Sequence, residues 1–343
     1  MVNAVSHKLL YLILVLAAVL FFVLDISLGT VHIPIEEVIS ALMGERTSKP
    51  GWHYIIINYR IPKAITAVLV GAGLSISGLL MQTLFRNPLA GPYVLGLSSG
   101  SSLAVAFLIL GSNLFMPFWN DIFLSSYGIV VASCLGSTIV LLAVLLVSQR
   151  LRDTMSILIV GLMFGSFASA FVGILSFIST AEQLQKFTFW SMGNLGNLSW
   201  NAIIILGLSV AIGLLICFVA LKSLNTLLLG ENYAKSLGLN YSRAKILIIL
   251  ATSILAGSIT AFVGPIAFIG LAVPHLSKLI FQTSNHRVLF WSTILLGSIL
   301  MLFCDMVSQL PGGDFTLPIN AITSIVGAPV VIWLLVRKRK IMN

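Results

Sequence analysis

Apolar runs long enough to cross a bilayer follow one another along almost the whole chain, separated by short polar connections. A membrane helix needs about 20 mostly apolar residues, and such runs lie at Leu9–Leu28, Ala64–Leu84, Leu89–Leu110, Ile122–Val147, Met155–Ile178 and Ala202–Leu221. The next run, Ala244–Leu279, is too long for one helix. It carries Gly264-Pro265, where the proline removes a backbone donor and the glycine lets the chain turn, so it divides into two. Val288–Ser308 and Leu317–Val336 complete ten spans. The pattern predicts an all-α polytopic membrane protein in which residues 1–343 form one transmembrane domain. His7 and Lys8 precede the first run, and Asp25, Ser27 and Gly29 follow it in place of a small-residue cleavage site, so it reads as a retained helix.

Composition agrees with this reading. Of 343 residues, 58% are hydrophobic and 8% charged, against about 25% charged in a soluble domain. Too little polar surface is available to face water, and the bilayer must solvate most of the chain. The net charge of +9 does not point to nucleic acid, because the basic residues are scattered singly among apolar runs. Ten spans sort the charges cleanly. One side collects 14 of the 19 lysines and arginines against Asp153 and Glu231, a net of +12, while the other, with Arg46, Lys49, Arg60, Lys63 and Lys186, has a net of −3. The lysine and arginine excess places the first side, and with it both termini, in the cytoplasm.

Cys134, Cys217 and Cys304 each sit in an apolar run without metal-ligand spacing, so they read as inert thiols; neither a metal nor a cofactor is implied. The chain has no Gly-Lys pair and therefore no phosphate-binding loop, and HExxH and GxSxG are missing too. It does not read as an enzyme. Asp305, placed about two turns from the outer end of its span, and His275, after Pro274, are the only candidates for ionisable groups at depth, and they read as an interfacial contact and a satisfied core histidine. A secondary transporter, the alternative class, would be expected to carry coupling carboxylates at the midplane. Energy for transport would instead come from a partner.

Three local patterns stand out. Gly161, Gly165, Ser169 and Gly173 put a small residue at every fourth position of the fifth span, a face suited to close packing, a subunit contact or a path. The cytoplasmic stretch 222–243 divides at two glycines into short helices over Ser223–Leu229 and Glu231–Leu237. Glu231 suits the second helix's first turn, Lys235 lies four residues on, and Gly238 would end it as a left-handed cap. In Arg86-Asn87-Pro88-Leu89-Ala90-Gly91-Pro92, asparagine before proline marks a helix start.

These residues also carry a resemblance. Arg60-Ile61-Pro62-Lys63, VLVGAGLSISGLLMQ (68–82), RNPLAGP (86–92), LGLSSG (95–100), FWSMGNLGNLSW (189–200), LLGENYAKSLGL (228–239), FVGPIAFIGLAVPH (262–275), Asp305 and the 318–329 segment strongly resemble the FecCD permeases. The resemblance implies the type II ABC importer permease fold, with ten helices per subunit, in the bacterial inner membrane. It also implies a second permease subunit, identical or paralogous, two cytoplasmic ATPase subunits, and a periplasmic or surface-anchored binding protein delivering a ferric siderophore, haem or cobalamin. An iron chelate is the expected cargo. Coupling to the ATPase would fall on Leu229, Gly230, Glu231, Ala234, Lys235, Leu237 and Gly238. Binding-protein docking would fall on Arg60, Lys63 and Gln309, although arginine is usual at the last two positions. Thr316 and Asn320 likewise replace the usual glutamate and glycine.

Overall fold

In lipid each backbone amide needs a partner within its own segment or a closed sheet, which leaves helices as the natural solution for runs of this length. In the computed structural model, which describes residues 7–29, 31, 33–45, 47–112, 126–150, 154–309 and 316–341, no strand occurs among the described residues. Seven helices are long and apolar enough to span a membrane, and shorter apolar helices at Leu97–Ile109, Ile269–Phe281 and Ile319–Trp333 bring the apolar helices among these residues to ten. Ile122, the expected start of the fourth span, lies outside the described residues, as do Arg46, Arg152 and Asp153.

The chain forms two compact units. The first comprises Met1–Ser75, Asn194–Gly207 and Ala267–Asn343. It contains α1 (His7–Ser27), the short α2 (Ile35–Leu42) and α3 (Pro50–Ile55), and the beginning of α4 (Ile61–Leu84). It also contains α12 (Ile269–Phe281), α13 (His286–Ser308) and α14 (Ile319–Ile341). Here α1 packs along α13, and α12, α13 and α14 pack on one another. The α4–α13 crossing is close because both helices present glycine: a Cβ on Gly71 would strike the Gly297 carbonyl, and one on Gly297 would strike Gly71 and Ser75. Ser298 Oγ donates to Val68 O across the same crossing at 3.2 Å.

The second unit, Ile76–Gly193 and Leu208–Ile266, holds the rest of α4, α5 (Leu97–Ile109), α6 (Ser126–Arg150), α7 (Thr154–Ile178) and the short α8 (Ala181–Ser191). Most of α9 (Trp200–Leu227), α10 (Glu231–Ser236) and α11 (Tyr241–Val263) complete it. It repeats the device: Gly100 of α5 and Gly136 of α6 each occupy the space a Cβ on the other would need. Around this crossing α5 packs on α6 and α7, and α11 on α6.

Several boundaries differ from the apolar pattern, each for a local reason. The third span begins at Leu97 rather than Leu89, because Pro92–Leu95 form a 3-10 turn that Gly96, at φ +74°, ends in the left-handed region. The second span is longer than its apolar core. Helical backbone is continuous from Pro50 to Leu84, with a π segment at Ile56–Arg60 absorbing the donor that Pro62 lacks. No separate helix covers Ser223–Leu229. Instead α9 runs unbroken to Leu227, because Leu221, Leu224 and Leu227 keep the buried face in helical register. Asp305 stands three residues from the end of α13, one turn and not two. The break at Gly264-Pro265 is as expected: α11 ends at Val263, Gly264 has φ +85°, and α12 starts at Ile269.

The short helices α2, α3 and α8 have no counterpart in the apolar pattern. A reciprocal capping box between Thr180 and Gln183 opens α8. In α2, Glu37 accepts from the Ser48 amide at 2.9 Å and from its hydroxyl, and these bonds hold its carboxyl below the usual range.

Candidate functional site

The carbonyls that close a helix have no partner inside it, and at the end of α1 they face Arg60, on the π segment. Its Nη1 donates to Ile26 O and Ser27 O, both at 2.8 Å, and Nη2 donates to Val31 O. The residue is 8% exposed. Arg60 is therefore a side-chain cap for α1, with its charge at the negative end of the helix dipole. The side chain turns inward from the π segment, and three carbonyls take its donors.

Beside it lies a buried polar cluster. Lys63 Nζ pairs with Asp305 Oδ2 at 3.0 Å, with the aspartate side chain 1% exposed. Gln309, one turn beyond Asp305, donates from Nε2 to Asp305 Oδ2 at 3.1 Å and more distantly to Asp25 Oδ1 at 3.4 Å. The Ser308 hydroxyl donates to Asp305 O at 2.7 Å. The structure places Arg60, Lys63 and Gln309 on one cavity wall. It adds Asp25, whose place near a span end gave no signal of a partner 284 residues away. These residues back an open cavity of about 380 Å³ also lined by Tyr59, Asn194, Asn197 and Thr316. Asp305 behind Lys63 offsets the charge of that residue.

A second candidate lies in the other unit. Gly230, at φ +101°, turns the chain out of α9 into α10, where Glu231 and Lys235 form an i,i+4 pair at 2.6 Å. The cap beyond α10 is a Schellman motif: Leu239 N donates to Ala234 O at 3.0 Å and Gly238 N to Lys235 O at 2.9 Å, with Gly238 at φ +85°. Lys235 Nζ also sits 5.4 Å from the centre of the Tyr241 ring, which ties α10 to the start of α11. Ala234 is buried beneath, while Leu229, Tyr233 and Leu237 are 57%, 71% and 65% exposed.

The small-residue face of α7 divides along its length. Gly161 packs against Gly96, and Gly165 lies under Ser99. Ser169 lines a groove of about 290 Å³ with Ser98, Ser99 and Ser102, and Gly173 opens on unfilled space.

At the broken segment after α11, two side chains supply what the missing helical bonds do not. The Tyr93 hydroxyl both accepts from Ile266 N at 2.9 Å and donates to Ile266 O. Asn320 Oδ1 accepts from Ala267 N at 3.1 Å.

The sequence pattern of the FecCD transport family fits residues 15–337 of this chain. The chain is 33% identical over 329 residues to the hemin transport system permease protein HmuU of Yersinia pestis, covering 95% of this chain and 96% of that one. It is 34% identical over 319 residues to the vitamin B12 import system permease protein BtuC of Klebsiella pneumoniae subsp. pneumoniae, with coverage of 90% and 92%. A solved structure described as an inward-facing conformation of a metal-chelate type ABC transporter superposes with a TM-score of 0.84 at 28% identity, covering 96% of this chain and 99% of that one.

Proposed function

We infer the function from one premise: the chain belongs to the FecCD transport family. It is a multi-pass ABC importer permease. The cargo we propose is an iron chelate, a ferric siderophore, carried across a bacterial inner membrane with both termini in the cytoplasm. A second permease subunit would complete the path, and two ATPase subunits would drive it. A binding protein would deliver the chelate at the cavity edged by Lys63 and Gln309, with Arg60 holding that wall from behind. The coupling element would be the turn from Leu229 to Gly238. The observation that carries this reading is the family match across nearly the whole chain, in a sequence that has no phosphate-binding loop. The likeness to a metal-chelate type transporter supports the cargo. Haem or cobalamin is the second reading, favoured by the similarity to HmuU and BtuC.

The test is reconstitution in proteoliposomes with the co-purifying ATPase and the binding protein, followed by a screen of ferric siderophores, haem and cobalamin. A ferric siderophore should stimulate hydrolysis and accumulate. Stimulation by haem or cobalamin alone would replace the cargo, and accumulation without any ATPase would remove the ABC mechanism.

A further inference from the structure

Arg86 follows α4 in a backbone conformation that side chains rarely adopt, with φ +46°. Glycine is the residue that usually takes such a place after a helix, so an arginine there calls for a reason in its side chain. The guanidinium rests over Gly230, the residue that launches α10: a Cβ built on Gly230 would stand 3.2 Å from Arg86 Nη1 and 3.8 Å from its Cζ. Two residues at positive φ thus face each other, and the absence of a side chain on one makes room for the other. The nearest acid in sequence to this contact, Glu231, is taken by Lys235 at 2.6 Å. Among the described residues nothing forms an ion pair or hydrogen bond with the Arg86 guanidinium, and Arg86 is an exposed residue. Three residues on, Leu89 is 48% exposed on the turn that the Asn87 side chain closes by accepting from Leu89 N at 2.9 Å.

We propose that Arg86 is a second anchor for the ATPase subunit, its guanidinium held over Gly230 and offered to a carboxylate on that partner, beside the apolar contact of Leu229, Tyr233 and Leu237. This rests on the coupling role proposed above for the Leu229–Gly238 turn, and it adds both a residue and a partner chemistry. Planar and always charged, with several donors on one face, arginine suits bidentate capture of a carboxylate. Its position gives the anchor a mechanical use as well. Force delivered at α10 passes through the Gly230 contact to the end of α4.

The experiment uses the full chain in membranes and the ATPase subunit that co-purifies with it. Cross-linking from Tyr233→Cys to that ATPase tests the coupling turn by itself. On that background, Arg86→Glu should lower the recovered ATPase about tenfold at low salt, since opposed charges at an interface change association strongly. The difference from wild type should shrink as salt rises. Arg86→Gln should lie between the two and lose most of the salt dependence. Should Arg86→Glu fail to insert, the comparison is made with Arg86→Gln. Cross-linking at Tyr233 with unaltered ATPase recovery in both Arg86 variants overturns the anchor and leaves the coupling turn standing. Absence of any cross-link from Tyr233→Cys overturns the coupling turn, and the anchor with it.

Discussion

Arg60 shows how one buried side chain can be assigned by counting its donors. Bonds to three carbonyls leave it little to offer a docking partner, so its replacement should act on the fold before it acts on any interface. Leaving the end of α1 without a donor costs about 1–3 kcal/mol, and Arg60→Ala should lower the thermal midpoint of the detergent-solubilised protein. Arg60→Lys should fall between the two, because an ammonium cannot fork across separated carbonyls. An unchanged midpoint with weakened binding-protein association would return Arg60 to the docking surface. Lys63 and Asp305 call for a cycle rather than single changes. Removing one partner strands the other's charge, whereas removing both leaves an apolar contact. The double variant Lys63→Met with Asp305→Leu should be more stable than either single variant, and strict additivity of the two losses would show that the pair does not interact. Residues 60, 63 and 309 were grouped only through the family resemblance, and the π segment that carries Arg60 is one that no apolar pattern displays.

At the scale of elements, the helices follow the apolar runs and their ends follow local punctuation. The Schellman cap after α10 was readable from Gly238, since glycine at the end of a short helix is the cheapest residue for positive φ. The continuation of α9 to Leu227 was not, because a polar stretch looks like a boundary unless the buried face is known to persist through Leu224 and Leu227. Gly238 permits a clean test, as no atom lies within 4 Å of the place a Cβ would take, and any penalty is conformational. Gly238→Val should cost about 1–2 kcal/mol locally, leaving insertion and dimer assembly intact while transport and stimulated ATP hydrolysis fall together. Normal transport by an inserted Gly238→Val protein would separate this cap from coupling. The glycine pairs at 71 and 297 and at 100 and 136 belong to the same scale: each is visible in sequence as a small residue, but which helix it admits is set by the packed unit.

For the molecule as a whole, the charge asymmetry of the loops makes orientation testable. Cysteine introduced at the exposed positions Glu45 and Ser242 should label from outside and only after permeabilisation, respectively. Labelling of Ser242→Cys in sealed cells would invert the topology. Class, number of spans, the break at Gly264-Pro265 between the seventh and eighth spans and membership of an importer family all follow from the order of residues, because hydropathy, chain reversal at glycine and proline, and loop charge act locally and add along the chain. Contacts between distant residues do not add in that way. Asp25 meeting Gln309, Tyr93 and Asn320 satisfying the amides of a broken helix, and Arg86 resting over Gly230 each join segments far apart in sequence. Only the packed helices decide which polar groups are left facing one another, since a buried donor or acceptor takes whatever partner tertiary packing brings within reach.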